Sequence, residues 1–162
     1  VTLFKGSISF NISLGNPGID QAKVEEAARL VQADLFIDRL PGGYDFQVTE
    51  EGANLSSGQA QLISFARAMA HDPPIIVLDE ATASVDSQTE AAIQEAIEVI
   101  FERKTVLVIA HRLSTIQKAD QILVLANGKV AERGNHESLM AQAGIYADLY
   151  ARGFSEGGGE AA

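Results

Sequence analysis

The chain has 162 residues, 46% hydrophobic and 21% charged, a balance typical of a folded domain with a core of its own. Its 22 acidic residues outnumber 12 basic ones, and the resulting net charge of −10 argues against binding to a nucleic-acid backbone and against docking on anionic lipid by charge. The sequence contains no cysteine, which excludes disulfides and thiolate chemistry, and it has no apolar run of about 18 residues that could span a bilayer.

The two ends of the sequence differ in character. The chain opens on Val1, with Leu3 and Phe4 already part of an apolar pattern, so we interpret it as a truncated part of a longer protein. Residues 1–152 are expected to form one incomplete domain. The tail Gly153–Ala162 carries three consecutive glycines and two acids, which predicts disorder.

Helical spacing dominates the front of the chain. Apolar residues recur at helical intervals between Asp20, a candidate N-cap, and Leu40, after which Pro41-Gly42-Gly43 predicts a stop. The stretch from Gly42 to Asn54 is typical of a loop. The expected buried positions of this helix are Val24, Ala27, Ala28 and Val31.

A second helix is predicted to follow the loop. Ser56 is its expected N-cap, and Pro73-Pro74 ends it after Met69 or His71. The expected buried side consists of Leu62, Phe65, Ala66 and Met69.

After the double proline the pattern changes to strands and helices. Short, wholly apolar runs predict buried strands, and Asn127-Gly128 between two such runs predicts a tight hairpin turn. In chain order, the predicted elements are the strand Ile75–Leu78, the helix Ser87–Phe101, the strands Thr105–Ala110 and Gln121–Leu125, the returning strand Lys129–Glu132, and the helices His136–Ala141 and Ile145–Ala151.

The strand–helix–strand unit predicts an α/β fold with a parallel sheet and a right-handed crossover. In such sheets, ligands bind beyond the carboxyl ends of the strands. Asp79 and Glu80 follow the first strand, and His111 follows the second. Because adjacent parallel strands end at the same edge, we expect these three side chains to lie close together.

The acidic pair Asp79-Glu80 allows two interpretations. A carboxylate at the end of a buried strand is costly unless it is paired or binds a cation. In phosphoryl transfer the first acid would suit Mg²⁺, and the second would suit a general base that polarises a water. Alternatively, the two acids cap the next helix, and the pair taken alone slightly favours this second interpretation.

His111 and the LSSGQ motif, Leu55 to Gln59, are equally ambiguous when each is taken alone. His111 could hydrogen-bond a γ-phosphate or an attacking water, or it could be a half-buried histidine bonded to backbone. The motif places two serines and a glycine at a helix start, where hydroxyls and N–H groups attract anions. A capped helix with a flexible entry would show the same residues.

The order and spacing of these motifs decide between the interpretations. The chain resembles the nucleotide-binding domain of exporter-type ATP-binding cassette (ABC) transporters in its LSSGQ, in the following QLISFARAMAHDPPIIVLDEATASVDSQTE, and in KTVLVIAHRLSTIQKADQILVLANGKVAERGNHESLM. The resemblance covers roughly Val1 to Leu149. It implies an incomplete P-loop NTPase-like α/β domain, with a helical subdomain at residues 11–72, a catalytic core at residues 73–152, and a C-terminal hairpin and helices.

The resemblance implies a role for each matching residue. Asp79 ends the Walker B strand and serves Mg²⁺, directly or through water. Glu80 is the catalytic base, and His111 is the switch histidine that contacts the γ-phosphate. Ser84 and Asp86 belong to the D-loop, which lies across a dimer interface. The signature motif, which meets ATP bound on an opposing domain, consists of Leu55, Ser56, Ser57, Gly58 and Gln59.

The same resemblance implies ATP and Mg²⁺ as cofactors and two protein partners. One partner is a second nucleotide-binding domain, bound head to tail. The other is a transmembrane domain, contacted by the loop Thr49–Gly52, so that ATP hydrolysis drives transmembrane transport. The chain would then lie at the cytoplasmic face of the plasma (inner) membrane, would associate with the membrane only through the transmembrane domain, and would bind no nucleic acid.

Two departures from the family pattern bear on activity. Ser57 stands where the commoner signature has glycine. More important, no G-x-x-x-x-G-K-[ST] occurs in the 162 residues. That motif supplies the backbone cradle, the phosphate lysine and the Mg²⁺ hydroxyl. We therefore expect the chain on its own neither to bind ATP tightly nor to hydrolyse it.

Two other classes of protein remain as alternatives. Soluble ABC-type ATPases of DNA repair, chromosome organisation or translation share the signature and the acidic pair. The sequence, however, lacks the basic patch that binding to nucleic acid requires. A non-catalytic binding module is disfavoured for the parent protein because both Glu80 and His111 are present, but it is the favoured interpretation of the given chain taken alone.

Overall fold

The computed structural model describes residues 2–79, 87–110 and 113–152. Within these ranges the chain forms two compact units. The first unit runs to Val77 and includes the later stretch that ends at Leu107. The second unit takes Leu78 and Asp79 together with the residues from Val108 onward.

The first unit begins with a small antiparallel pair of strands and a short helix. Strand β1 (Gly6–Ser7) pairs with β2 (Gln47–Val48), so the stretch expected to be only a loop contributes a strand. Helix α1 (Ile8–Ser13) starts after Ser7, whose hydroxyl accepts a hydrogen bond from the N–H of Phe10 at 3.0 Å. Sequence periodicity missed this helix because six residues are too few to display it.

The first predicted helix is shorter than expected. Helix α2 (Gln21–Leu30) begins after Asp20, whose carboxylate accepts a hydrogen bond from the N–H of Lys23 at 2.9 Å, so the predicted N-cap is confirmed. The chain leaves the helix where Gln32 takes a left-handed φ of 56°, and a separate helix α3 (Asp34–Ile37) follows. The prediction of one continuous helix is wrong because a left-handed residue other than glycine leaves no mark on apolar spacing.

Helix α4 (Ser57–His71) is the centre of the first unit and packs against α1, α2 and α5 (Ser87–Arg103). It ends at Asp72, which takes a left-handed φ of 51° just before the two prolines. The predicted buried faces are confirmed, since the core of the unit includes Val24, Ala27, Ala28, Val31, Leu62, Phe65, Ala66 and Met69.

Strands β3 (Ile75–Asp79) and β4 (Thr105–Ile109) pair with each other, and α5 lies between them in the chain, as the strand–helix–strand pattern predicts. The prediction that these strands are buried is wrong for one face of each strand. Ile75 and Val77 are 59% and 67% exposed, whereas Ile76 between them is 6% exposed. Each strand packs on one face only, and an unbroken apolar run does not distinguish that arrangement from burial on both faces.

The second unit is built on the predicted hairpin. Strands β5 (Ile122–Ala126) and β6 (Lys129–Gly134) pair in antiparallel fashion. Asn127 and Gly128 between them have φ of 51° and 73°, both positive as a type I′ turn requires. The turn is therefore confirmed, although β6 extends beyond the predicted end at Glu132.

Helices α6 (Leu113–Gln117), α7 (His136–Gln142) and α8 (Ile145–Ala151) accompany the hairpin. The last two confirm the predicted closing helices. The carboxylate of Glu132 accepts hydrogen bonds from the first two N–H groups of α8 at 2.6 and 2.9 Å, so it caps that helix and fixes it to the hairpin. The core of this unit consists of Ile116, Val124, Leu139 and Tyr146.

Candidate functional site

The LSSGQ motif lies at the start of α4. The hydroxyl of Ser56 accepts a hydrogen bond from the N–H of Gln59 at 3.2 Å, and the side-chain oxygen of Gln59 accepts one from the N–H of Ser56 at 3.0 Å. This reciprocal pair is a capping box, which fixes the geometry of the first helical turn. The predicted N-cap is confirmed, and Gln59 acts as its partner.

The first turn of α4 is open to solvent at the motif. Ser56 and Ser57 are exposed, Leu55 and Gln59 are half-buried, and Gly58 is buried. A helix offers no carbonyl to its first N–H groups, so the N–H of the exposed Ser57 is available to a ligand. Because these groups lie at the positive end of the helix dipole, the turn is suited to an anion such as a phosphate.

Replacement of Ser56 by alanine tests the capping box. We expect the free energy of unfolding of the chain to fall by about 0.5–2 kcal/mol, because the N–H of Gln59 loses its acceptor. Urea unfolding followed by circular dichroism measures the change. Ser57→Ala is the matched control, and because Ser57 is exposed and is not the cap, its replacement should change stability by less than about 0.5 kcal/mol. Equal stability of the Ser56 variant and the wild type would show that the cap contributes nothing.

The loop Thr49–Gly52, predicted to contact a transmembrane domain, is held in place by Asn54. The side-chain oxygen of Asn54 accepts hydrogen bonds from the N–H and the hydroxyl of Thr49 at 3.0 and 3.1 Å, and its amide donates to the carbonyl of Gln47 at 2.9 Å. Gly52 is buried with a left-handed φ of 76°. Sequence reasoning missed Asn54, although asparagine beside a loop commonly bonds backbone groups of a turn.

Asp79 is the last residue of β3 and belongs to the second unit. Its side chain is exposed, so the cost of burying a carboxylate, which supported the expectation of a cation, does not arise here. Among the described residues, no group of three or more histidine or acidic side chains is placed to hold a metal ion. A single exposed carboxylate still fits Mg²⁺, which keeps several waters and takes phosphate oxygens as further ligands.

Four predicted site residues lie outside the described residues: the catalytic Glu80 and His111, and the interface residues Ser84 and Asp86. The tail predicted to be disordered, Gly153–Ala162, also lies outside them. The roles of all four residues therefore stay predictions. Of the predicted set, the structure brings together the five residues of the LSSGQ motif within one unit.

A polar cluster on the same helix as the motif was missed by sequence reasoning. Arg67 of α4 hydrogen-bonds Asn11, which is fully buried. The two residues lie 56 positions apart in the chain, so no local pattern could have indicated their contact.

Comparison with known proteins relates these features to a family. The family model described as ABC transporter matches residues 5–83, a span that includes the loop Thr49–Gly52, the LSSGQ motif and Asp79. The probable multidrug resistance ABC transporter ATP-binding/permease protein YheH of Bacillus subtilis is 52% identical over 148 residues, or 91% of this chain. The chain belongs to the ABC transporter family.

Other members point to the exporter type. The ATP-dependent lipid A-core flippase of Shewanella frigidimarina is 51% identical to this ABC domain over 157 residues, or 96% of the chain. A bacterial Atm1-family ABC exporter with ATP bound matches 98% of the chain with a TM-score of 0.82 and 41% identity. The resemblance to exporter-type ATP-binding domains and the α/β fold class predicted from the motifs are thus confirmed, and family membership implies ATP as the nucleotide.

The ABC domain spans about a quarter of the length of these relatives: 22% of YheH, 26% of the flippase and 28% of the exporter chain. Within the described ranges, none of its helices combines the length and the apolar character that crossing a membrane requires. The alternative of a soluble ABC-type ATPase of DNA repair or translation finds no support among these relatives, which are a multidrug transporter, a flippase and an exporter.

Proposed function

We propose that the chain is part of the ATPase of an exporter, in which the complete nucleotide-binding domain hydrolyses ATP to drive transport across a membrane. The observation that carries the proposal is the start of α4, where a capping box fixes the helical turn that carries the exposed Ser56 and Ser57. This geometry suits the phosphate end of a nucleotide. The similarity to an exporter chain with ATP bound supports ATP as that nucleotide.

A second nucleotide-binding domain completes each site in this proposal. The two serines of the motif are exposed, and the chain contains no G-x-x-x-x-G-K-[ST] cradle. The phosphate that meets α4 would therefore be held by a cradle on an opposing domain, bound head to tail, with Ser84 and Asp86 at the interface. Two ATP molecules would be sandwiched in this way.

Each ATP would meet the phosphate cradle, Asp79, Glu80 and His111 of one domain and the LSSGQ motif of the other domain. Asp79 would hold Mg²⁺, directly or through water, and the ion when bound would neutralise charge on the phosphates. Glu80 would take a proton from the attacking water. The oxygen of that water would form a bond to the γ-phosphorus, while the bond between the γ-phosphorus and ADP breaks. His111 would hydrogen-bond the γ-phosphate. Release of phosphate would remove contacts that hold the sandwich closed.

The loop Thr49–Gly52 is the proposed contact with a transmembrane domain. YheH is an ATP-binding/permease protein, so in that relative both parts belong to one protein. The hydrogen bonds of Asn54 give the loop a defined shape, which a docking surface requires. The association would place the ABC domain at the cytoplasmic face of the plasma (inner) membrane, with the transmembrane domain as its link to the bilayer.

The chain on its own is expected to bind ATP only weakly, with a dissociation constant of about 1 mM or more, which corresponds to about 4 kcal/mol. One helix N-terminus contributes roughly 0.3–1 kcal/mol to anion binding, far less than a complete phosphate cradle. Calorimetric titration of the 162-residue chain with MgATP measures the affinity, and a complete transporter that carries the chain serves as the positive control. Micromolar affinity for the chain alone would contradict the assignment of the cradle to residues outside it.

A further inference from the structure

Arg67 lies on α4 about three helical turns beyond Ser56, and its guanidinium group contacts the N-terminal segment of the chain. Nε donates to the main-chain carbonyl of Asn11 at 2.7 Å, Nη1 to the carbonyl of Thr2 at 3.0 Å, and Nη2 to the side-chain oxygen of Asn11 at 3.4 Å. The same group lies over the ring of Phe4, 5.6 Å from its centroid. One side chain therefore joins α4 to three residues of the N-terminal segment.

Asn11 strengthens this connection from within the segment. Its side-chain oxygen accepts a hydrogen bond from the N–H of Phe4 at 2.8 Å, and its amide donates to the carbonyls of Phe4 and Ser7 at 2.8 and 3.1 Å. Asn11 is fully buried, so breaking these bonds would leave unpaired polar groups in an apolar environment. We call Arg67, Asn11, Phe4 and Thr2 together the Arg67 clamp.

The charge of Arg67 is met by carbonyl oxygens. Among the residues that the structure describes, no carboxylate forms an ion pair with Arg67. The carbonyl of Asn11 belongs to the last turn of α1, where a helix carries partial negative charge. One turn further along α4, His71 contacts the carbonyl of Ser13 at 3.1 Å. Burial lowers the pKa of Arg67 from its ordinary value, but a guanidinium stays charged at neutral pH.

The contacts of Arg67 depend on the shape of its side chain. A guanidinium is a planar fork with five N–H donors, so it can bond two carbonyls and an amide oxygen at once. A lysine ammonium is a point charge on a flexible stem and cannot reproduce that arrangement. Arg67→Lys is therefore a specific test of the clamp, since it retains charge and length.

The N-terminal segment is also held to the loop that precedes α4. Strand β1 pairs with β2, and the side chain of Leu3 lies against Gly52, where an added Cβ would be 3.1 Å from Leu3 Cδ1. The loop Thr49–Gly52 leads within a few residues to the LSSGQ motif. The start of α4 is thus connected through the chain to the N-terminal segment, and Arg67 connects the helix to the same segment about 16 Å further along the helix axis.

Apolar packing against α1, α2 and α5 keeps α4 in the core but is not directional, whereas the hydrogen bonds of Arg67 fix how the helix lies against the N-terminal segment. Without these bonds a small tilt or shift of α4 would change the position of the N–H groups at its start, and a displacement of about 1 Å at a reacting group costs about 10²-fold in rate. We propose that Arg67 is a positioning residue that sets the direction of α4 and thereby orients the signature motif toward the nucleotide. The inference rests on the proposed function, because the orientation matters for catalysis only if the motif meets ATP.

The test compares Arg67→Lys and Arg67→Met in a complete transporter that carries this chain. We expect kcat for ATP hydrolysis to fall about 10- to 100-fold. KM should stay within about twofold, because the residues that form the ATP cradle are not among the partners of Arg67. Arg29→Met is the matched control, since Arg29 is an exposed residue of α2, and it should keep the wild-type kcat.

Amide hydrogen exchange on the 162-residue chain gives a second readout that needs no ATP. In Arg67→Lys, the first hydrogen-bonded amides of α4, those of Gln59 and Ala60, should exchange about tenfold faster than in the wild type. Wild-type kcat together with unchanged exchange in Arg67→Lys would overturn the inference. Loss of folded protein with normal turnover per folded molecule would also overturn it, in favour of a purely structural role. A wild-type transporter without ATPase activity would overturn the proposed function. The exchange data would then still show whether the Arg67 clamp stabilises the start of α4.

Discussion

A transporter that carries this ABC domain is expected to lose about 10²–10⁴-fold of its ATPase rate when Glu80 is replaced by glutamine. Glutamine keeps the size of the side chain and can still hydrogen-bond the attacking water, but it cannot take up the proton that the water must lose. Binding of ATP does not require that proton transfer. The variant should therefore accumulate as a closed dimer of nucleotide-binding domains with ATP bound.

Phosphate release at saturating ATP measures the rate of the Glu80 variant, and chemical cross-linking of the two domains measures the closed dimer. Glu102→Gln is the matched control, because Glu102 is an exposed residue of α5. Its ATPase rate should equal that of the wild type, and it should not trap the dimer. If Glu80→Gln hydrolysed ATP at the wild-type rate, Glu80 would not be the catalytic base.

Replacement of Ile63 by alanine is expected to lower the free energy of unfolding by about 2–5 kcal/mol. Ile63 lies on α4 and is 0% exposed, in the helix that packs against α1, α2 and α5. The smaller side chain leaves a cavity that the surrounding helices cannot fill completely. Domains of this size have a total stability of roughly 5–15 kcal/mol, so the loss is a large part of it.

Urea unfolding of the 162-residue chain, followed by circular dichroism, measures the effect of Ile63→Ala. Leu35→Ala is the matched control, because it also shortens an aliphatic side chain on a helix, but Leu35 is 55% exposed. Its cost should be less than about 1 kcal/mol. Similar losses for the two variants would mean that the packing around α4 does not dominate the stability of the first unit.

The helix starts and the hairpin turn were predictable from the sequence because a few adjacent residues determine them. The carboxylate of Asp20 and the hydroxyl of Ser56 each cap the N–H three positions ahead. Asn127 and Gly128 are both suited to positive φ, which the turn requires. The buried faces of α2 and α4 were predictable for the related reason that helical spacing puts apolar residues on one side.

Features that depend on distant parts of the chain were not predictable in this way. The left-handed φ of Gln32 divides an apolar pattern that reads as continuous, and the open faces of β3 and β4 belong to runs that look buried throughout. In the candidate site, the LSSGQ motif was recognisable because its five residues are adjacent and the later motifs follow it in the order and spacing of the family. Arg67 and Asn11 were not, because their contact exists only once α1 and α4 have packed together.

In the capping box the Ser56 hydroxyl accepts a hydrogen bond, and its ability to donate one is not used there. As the cap, the oxygen gives a lone pair to the N–H of Gln59 and keeps its own proton. A phosphate oxygen accepts hydrogen bonds, so in the proposed function it would bind that proton without competing with the bond that stabilises the helix. Folding and binding would then use opposite ends of the same O–H group, and the cap would hold in place the oxygen that donates the hydrogen bond.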